Sequence, residues 1–227
     1  MCPSIAQNHA LLLSEIAEAC GRVGRDPSDV RLVAVSQTVG IAEVAAAIEA
    51  GIHDFGENRT TLFTEKQLAF PQEHWHFIGR IQTNKIREFV GKAELVHSVA
   101  SARALISIAT RAQQLGLIQK LLIEVNVSGE ESKDGVKPQQ LDELLDLAAG
   151  LEGIEVRGFM TMAPYADPDT ARETFRGLRE LRDAYAASCG SCGPIQLSEL
   201  SMGMSEDFSL AVEEGATIVR IGRSVWL

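Results

Sequence analysis

The sequence predicts an α/β protein folded as a single (β/α)8 barrel of the TIM type, with one extra helix in front of the first strand. Three observations support this prediction. Short apolar runs rich in Val, Leu and Ile alternate with helical patterns along the whole chain. The length of 227 residues fits such barrels, which begin at roughly 200 residues. No Pro/Gly/Ser-rich linker divides residues 1–227, so we expect one domain.

The leading helix is predicted over residues 5–23, where apolar side chains recur at helical spacing. A short Val-rich run at 30–35 follows as a buried strand, and an Ala-rich helix at 41–50 ends at Gly51. The rest of the chain repeats this strand–helix pair. Further strands are expected at 52–55, 74–78, 95–98, 120–125, 154–159, 196–200 and 217–221, and further helices at 59–69, 82–91, 101–115, 138–150, 168–187 and 206–214.

Strict alternation of strands and helices implies a parallel sheet. Eight strands in this order favour a closed barrel over the alternative, an open doubly wound sheet. Only seven helices lie between the eight strands, so we expect the leading helix to cover the gap left by the missing eighth.

The charge balance excludes several classes of function. Lys plus Arg is 21 and Asp plus Glu is 31, which gives a net charge of −10 and argues against a general nucleic-acid binder. The sequence has no apolar run of about 18 residues and no recognisable signal peptide, so we expect a cytoplasmic protein without a membrane span.

The cysteine and histidine patterns do not predict a metal site. Cys189 and Cys192 have CxxC spacing, but there is no second such pair, and the connection around them is rich in Gly and Pro. His74 and His76 share one face of a predicted strand, without an evident carboxylate partner in the sequence. We therefore expect free thiols and no bound metal.

In a barrel of this type, ligands bind where the strands end and the following loops begin. Ser201, Gly203 and Gly222 lie in the last two such loops and offer a hydroxyl group and backbone N–H groups. Arg220 and Arg223 add positive charge there. This combination indicates a ligand with a phosphate group. The alternative is that both glycines serve turns and that Arg220 pairs with a carboxylate inside the barrel.

Six motifs in order carry a family resemblance. They are FGEN at 55–58, WHFIGRIQTNK at 75–85, VNVSGEESK at 125–133, RGFMTM at 157–162, LSMGMS at 200–205 and VRIG at 219–222. Together they resemble the pyridoxal phosphate homeostasis protein family, a single barrel similar to the N-terminal domain of bacterial alanine racemases. The resemblance covers nearly the whole chain.

The resemblance implies that pyridoxal 5′-phosphate (PLP) is the cofactor and that it binds at the barrel mouth. In the family, the lysine of a Ser-Lys-Thr sequence after the first strand forms a Schiff base with PLP, whereas this chain has Gln37 there. An amide nitrogen is not nucleophilic, so any PLP bound here is expected to be held noncovalently or more weakly. The implied cofactor-binding residues are Gln37, Asn58, His76, Asn126, Met160, Ser201, Gly203, Arg220 and Gly222.

Three hypotheses about function follow from the resemblance. The first is a non-enzymatic PLP-binding protein in vitamin B6 and amino-acid homeostasis. It would act as a monomer, with a PLP-dependent apoenzyme or a regulatory protein as a possible partner. The second is a family member that has lost PLP and acts through a protein partner or another phosphorylated ligand. The third, an amino-acid racemase relative, is disfavoured because the lysine base is absent and no residues remain for a second, β-rich domain.

Overall fold

The chain alternates strands and helices along its length. The computed structural model describes residues 4–130, 133–164, 167–189 and 193–227, with only the backbone described for Cys189. The strands are β1 (Arg31–Val35), β2 (Asp54–Glu57), β3 (His74–Phe77), β4 (Leu95–Val99), β5 (Gln119–Glu124), β6 (Ile154–Met160), β7 (Ile195–Ser201) and β8 (Ile218–Ile221). The helices are α1 (Ile5–Val23), α2 (Ile41–Glu49), α3 (Thr60–Ala69), α4 (Ala102–Leu115), α5 (Leu141–Ala149), α6 (Pro168–Cys189), α7 (Phe208–Glu213) and α8 (Arg223–Trp226).

The eight strands form a closed parallel barrel in sequence order. Each strand pairs with the next, and β8 returns to β1, with Val33 beside Arg220 in the register. The predicted fold class is therefore confirmed. None of the helices in the described part of the chain is both long and apolar enough to span a bilayer.

The largest difference from the predicted elements lies between β3 and β4. The expected helix over 82–91 is instead a short 3-10 helix, Thr83–Glu88. Phe89 and Val90 after it are buried, and the ring of Phe89 stacks on Phe77 with a centroid distance of 4.2 Å. A tighter helix followed by an irregular turn places these apolar side chains in the core within few residues. A second difference is that β2 begins at Asp54 rather than at residue 52.

Helix α1 packs beside the last elements of the barrel, as the sequence predicted. It contacts α2, α7 and α8. Asn8 donates through Nδ2 to the carbonyl oxygen of Val225 at 3.1 Å, and Arg25 after the helix donates to the carbonyl oxygens of Val212 and Ala216. The final helix, α8, has four residues, too few to cover the wall at β8 alone.

The strand side chains alternate between two environments. One set faces the helices and forms the main core. The other set points into the barrel and includes a separate apolar cluster of Val33, Leu95, Leu122, Met160 and Ile218. Polar side chains from the same inward-facing positions accompany this cluster, and they build the site described next.

The described residues include one cysteine with a defined environment, Cys20, which is buried and free. Cys2, Cys192 and the side chain of Cys189 lie outside the described residues, so the expectation for the CxxC pair stays a prediction. Among the described residues, no three His, Cys, Asp or Glu side chains are grouped closely enough to hold a metal ion.

Candidate functional site at the barrel mouth

A chain of hydrogen bonds crosses the inside of the barrel from β2 to β8. Asp54 Oδ1 lies 3.0 Å from His76 Nε2, and His76 Nδ1 lies 3.0 Å from His97 Nε2. His97 Nδ1 lies 2.8 Å from Ser201 Oγ, which accepts a hydrogen bond from Arg220 Nη1 at 2.6 Å. His76, His97 and Ser201 are fully buried. These hydrogen bonds therefore connect Asp54, at the amino-terminal end of the barrel, with Arg220, at the inner part of the mouth.

Because both rings are neutral, the carboxylate of Asp54 fixes the direction of each hydrogen bond from Asp54 to Ser201. The Asp54 carboxylate only accepts, and the Arg220 guanidinium only donates. The Ser201 hydroxyl thus donates to Nδ1 of His97, His97 donates from Nε2 to His76, and His76 donates from Nε2 to Asp54. It follows that the hydroxyl proton of Ser201 is already used in a hydrogen bond inside the protein.

Burial keeps both histidines neutral. It lowers the pKa of His97 well below the ordinary 6.5, and the positive charge of Arg220 lowers that pKa further. Burial also lowers the pKa of His76, against the opposing hydrogen bond to Asp54. For Asp54, burial acts to raise the pKa, but the hydrogen bond from His76 and the nearby charge of Arg31 outweigh burial and lower it.

Arg220 is a buried cation without a salt bridge. Its side chain is 4% exposed, and no carboxylate of the described residues lies within 4.0 Å of it. Besides Ser201, its guanidinium donates from Nη2 to the carbonyl oxygen of Thr161 at 3.0 Å. Burial lowers the pKa of Arg220 to about 10, although Glu124 and Asp207 lie near enough to raise it in part. An uncompensated buried charge is costly, so an anion beside this guanidinium would be stabilising.

On the adjacent part of the mouth, Gln37 and Asn58 are exposed just after β1 and β2, and β1 pairs with β8. The residue before each of them belongs to a buried cluster. Ser36 Oγ donates to Glu57 Oε1 at 2.9 Å, and Lys66 from α3 donates to the same oxygen at 2.5 Å and to the carbonyl oxygen of Ser36 at 2.6 Å. Lys66 thereby joins the ends of the two strands from which Gln37 and Asn58 project.

Two of the predicted glycines occupy different environments. Gly203 has φ of +92°, and a Cβ atom there would lie 2.6 Å from Cβ of Ala211 in α7. This glycine is therefore required by the turn after β7. Beside Gly222, a Cβ atom would meet only Val35 within 4 Å. The space next to the loop after β8 is open, as close approach of a ligand to the backbone requires.

The structure brings together only part of the predicted site. Ser201 and Arg220 are bonded to each other, and Gly203 accepts a hydrogen bond from the backbone N–H of Arg220 at 3.0 Å. His76 lies inside the barrel with both ring nitrogens engaged. Met160 also lies inside, in the apolar cluster. Their roles toward a ligand stay predictions.

Asn126 is used within its own loop. Its Nδ2 donates to the carbonyl oxygen of Glu130 at 2.8 Å, and its Oδ1 accepts from the backbone of Gly129 at 3.0 Å. This arrangement shapes the loop after β5, and contact of Asn126 with a ligand remains a prediction.

Four polar residues in or around the barrel interior were not recognised as site residues from the sequence. Asp54 supplies the carboxylate partner that seemed absent beside His74 and His76, from 3.5 and 3.0 Å respectively. His97 links two distant strands, which a sequence pattern does not reveal. Lys66 lies on a helix, where lysine is usually exposed. Only Glu124 had a signal in the sequence, because it is a charged residue directly after the apolar run Leu121–Ile123.

The fold and the mouth define a class, the ligand-binding barrel of the alanine racemase type. Residues 17–227 match the family model described as "Alanine racemase, N-terminal domain". Alanine racemase of Clostridium difficile shares this fold at a TM-score of 0.70 and 16% identity, over 94% of this chain and 56% of that one.

Relatives of higher sequence identity show which family within this class the chain resembles. The pyridoxal phosphate homeostasis proteins of Aquifex aeolicus and Pseudomonas aeruginosa are 42% and 39% identical, over 93% and 98% of this chain and 92% and 95% of their own lengths. PipY of Synechococcus elongatus, in a structure with PLP bound, superposes with a TM-score of 0.81 at 31% identity, covering 93% of this chain and 100% of that one. The chain belongs to the pyridoxal phosphate homeostasis protein family.

Proposed function

We propose that this protein binds PLP noncovalently at the barrel mouth and serves in the handling of vitamin B6 and amino acids without catalysing a reaction. A homeostasis role is supported by the names of the relatives and by the PLP found in PipY. We keep the expectation that the chain acts as a cytoplasmic monomer, with a PLP-dependent apoenzyme or a regulatory protein as its partner.

The observation that carries the proposal is the unpaired buried charge of Arg220. A guanidinium that is 4% exposed, without a carboxylate of the described residues within 4.0 Å, is suited to an anionic ligand. The space beside Gly222, two residues after Arg220, would let a ligand approach the backbone closely. PLP supplies an aldehyde and a phosphate dianion when it is bound, and the residues present fit the anionic part.

The residues for the aldehyde end differ from the family pattern. Gln37 presents an amide at the exposed edge of the mouth, and an amide donates and accepts hydrogen bonds but does not form an imine. Asn58 offers a second amide from the neighbouring strand end. The cluster of Ser36, Glu57 and Lys66 behind both residues holds these strand ends in place.

The experiment is retention of PLP through desalting, followed by its absorbance spectrum. We expect the parent protein to retain PLP without the band of an imine, and Arg220→Met to bind at least tenfold more weakly. Arg220→Lys keeps the positive charge. It therefore distinguishes the loss of electrostatic attraction to the phosphate from a disturbance of the fold. The matched control is Arg22→Met, which removes an arginine paired with Glu213 on the outside of the barrel.

Equal retention by the parent and by a folded Arg220→Met variant would overturn the proposed site. The parent could instead fail to retain PLP and show no protection by PLP against thermal unfolding. That result would favour the second hypothesis, in which the protein has lost PLP and acts through a partner or another phosphorylated ligand. A bound ligand at about 100 times its Kd stabilises the folded state by about 2.7 kcal/mol, which such an assay resolves.

A further inference from the structure

A cavity opens at the mouth beside the ends of β3, β4 and β5. It has a volume of about 300 Å³. Its polar lining consists of Arg80, Ser98, Ser101, Glu124, Lys133 and Asp134. Of these, only Glu124 lies on an inward-facing position within a strand, two residues after Leu122 of the inner apolar cluster.

Glu124 is buried and has no side-chain partner among the described residues. Its side chain is 5% exposed, and no described residue hydrogen-bonds to its carboxyl group or lies within ion-pair distance of it. Buried carboxyl groups in proteins are normally paired or hydrogen-bonded. A carboxyl group that is left alone and faces a cavity is suited to a cationic or hydrogen-bond-donating group of a ligand.

Lys133 lines the same cavity and is also without a carboxylate partner among the described residues. The nearest acceptor of its ammonium group is the carbonyl oxygen of Ala163, at a long 3.4 Å. Arg80 and Asp134, by contrast, lie 3.7 Å apart at the exposed edge. The cavity therefore holds one unpaired carboxyl group and one unpaired ammonium group that do not pair with each other.

We propose that this cavity binds a small zwitterion of the amino-acid class, whose ammonium group pairs with Glu124 and whose carboxylate pairs with Lys133. A single ligand of this kind satisfies both unpaired charges, whereas a simple amine or a simple acid satisfies one. The hydroxyl groups of Ser98 and Ser101 add polar surface for a short side chain. The described lining of this cavity includes none of the residues proposed to hold PLP, and the inference goes beyond that function.

The charges around Glu124 predict the pH dependence of binding. Burial raises the pKa of Glu124 to about 7, and the negative charge of Asp134 also raises it, against Arg220 and Arg80. Lys133 is the remaining charged group of the cavity. A carboxylate attracts the ligand's ammonium group more strongly than a carboxylic acid does, so affinity is expected to rise between pH 6 and pH 8.

The test uses L-serine as the probe, with ethanolamine and 3-hydroxypropanoate as ligands that lack one of the two charges. Saturation-transfer NMR detects binding, and a titration at pH 8 gives the dissociation constant. We expect both half-ligands to bind at least tenfold more weakly than L-serine. Glu124→Gln and Lys133→Met should each weaken L-serine binding at least tenfold, and Glu124→Gln should also remove the pH dependence.

The matched controls are Glu94→Gln and Lys120→Met, since these residues pair with each other at 2.8 Å and are partly exposed at the other end of the barrel. Both should bind L-serine like the parent. No saturation transfer to L-serine at pH 8, or equal affinity in the parent and in folded Glu124→Gln and Lys133→Met, overturns the inference. PLP retention measured on the same samples shows whether the proposed function stands when this inference fails.

Discussion

The ammonium group of Lys66 lies 2.5 Å from Oε1 of Glu57, and both side chains are almost completely buried between the barrel wall and α3. The second carboxylate oxygen of Glu57 has no hydrogen-bond partner among the described residues. The pair holds the ends of β1 and β2, where Gln37 and Asn58 leave the barrel. It gives the chain a buried charge pair directly behind the mouth.

Removal of Lys66 should be strongly destabilising because it leaves a buried carboxylate uncompensated. We expect Lys66→Met to lower the free energy of unfolding by about 3–5 kcal/mol. The double variant Lys66→Met with Glu57→Gln should recover part of this loss, since it removes the stranded charge. Urea denaturation measures both, and Lys85→Met, on the surface beside Glu88, should stay within about 0.5 kcal/mol of the parent. An equally small effect of Lys66→Met would contradict the pairing.

The direction of the internal hydrogen-bond chain predicts the tautomers of two histidines. His76 and His97 should both carry their proton on Nε2, because Asp54 accepts from Nε2 of His76 and both rings are neutral. Long-range ¹H–¹⁵N correlation spectra identify the protonated ring nitrogen directly. Asp54→Asn keeps an acceptor and should preserve both tautomers, whereas Asp54→Val should change that of His76. A proton on Nδ1 of either ring in the parent would refute the deduced direction.

The pH dependence of stability should contain two opposing contributions. The pKa of Glu124 rises from 4.5 to about 7 on folding, so its contribution to stability is lost as the pH rises through this window. The pKa values of His76 and His97 are lowered on folding, so their contribution is lost as the pH falls below 6.5. Between pH 4.5 and pH 6.5, the contribution of Glu124 and that of the two histidines change stability in opposite directions and partly cancel in the parent.

Glu124→Gln separates these contributions. The variant should be more stable than the parent by on the order of 3 kcal/mol at pH 8 and nearly equal to it at pH 4, since one pKa unit corresponds to about 1.4 kcal/mol. Its stability should then rise more steeply with pH between 5 and 7, because the histidines act alone. Urea denaturation across this range measures the profile, and a profile parallel to that of the parent would count against the raised pKa.

A lysine at position 37 should restore covalent capture of PLP. We expect Gln37→Lys to form an imine with PLP, giving an absorbance band that borohydride reduces, while the parent lacks this band. Mass spectrometry after reduction should locate the adduct on residue 37. The control is Gln72→Lys, an exposed position between α3 and β3, which should not be labelled.

The agreement between sequence and structure is closest where one periodicity dominates. Residues 5–23 were predicted as a helix, and α1 has those bounds because its apolar residues recur at helical spacing and Ser4 caps its start. Between β3 and β4 the periodicity was misleading: Phe89 and Val90 continue a helical pattern but reach the core from an irregular turn. The packing of these aromatic and aliphatic side chains outweighed local preference there.

The site was less accessible to prediction because its residues meet from distant strands. Ser201 and Arg220 are 19 residues apart and were both recognised, since each follows the pattern of polar residues at strand ends. The contact of His97 with Ser201 spans 104 residues. Such a contact depends on closure of the barrel and on which strand faces which, and neither has a local signal in the sequence.

The alternation of strands and helices, the closed barrel and the family could be predicted from the chain alone, as could an amide at position 37 after the first strand. These properties depend on the spacing and the identity of residues near each other in the chain. Only the tertiary structure decided that Lys66 is buried against Glu57, that Arg220 lacks a salt bridge among the described residues, and that Glu124 and Lys133 face one cavity unpaired. The physical reason is that burial and charge pairing arise between residues that only the closed barrel brings together.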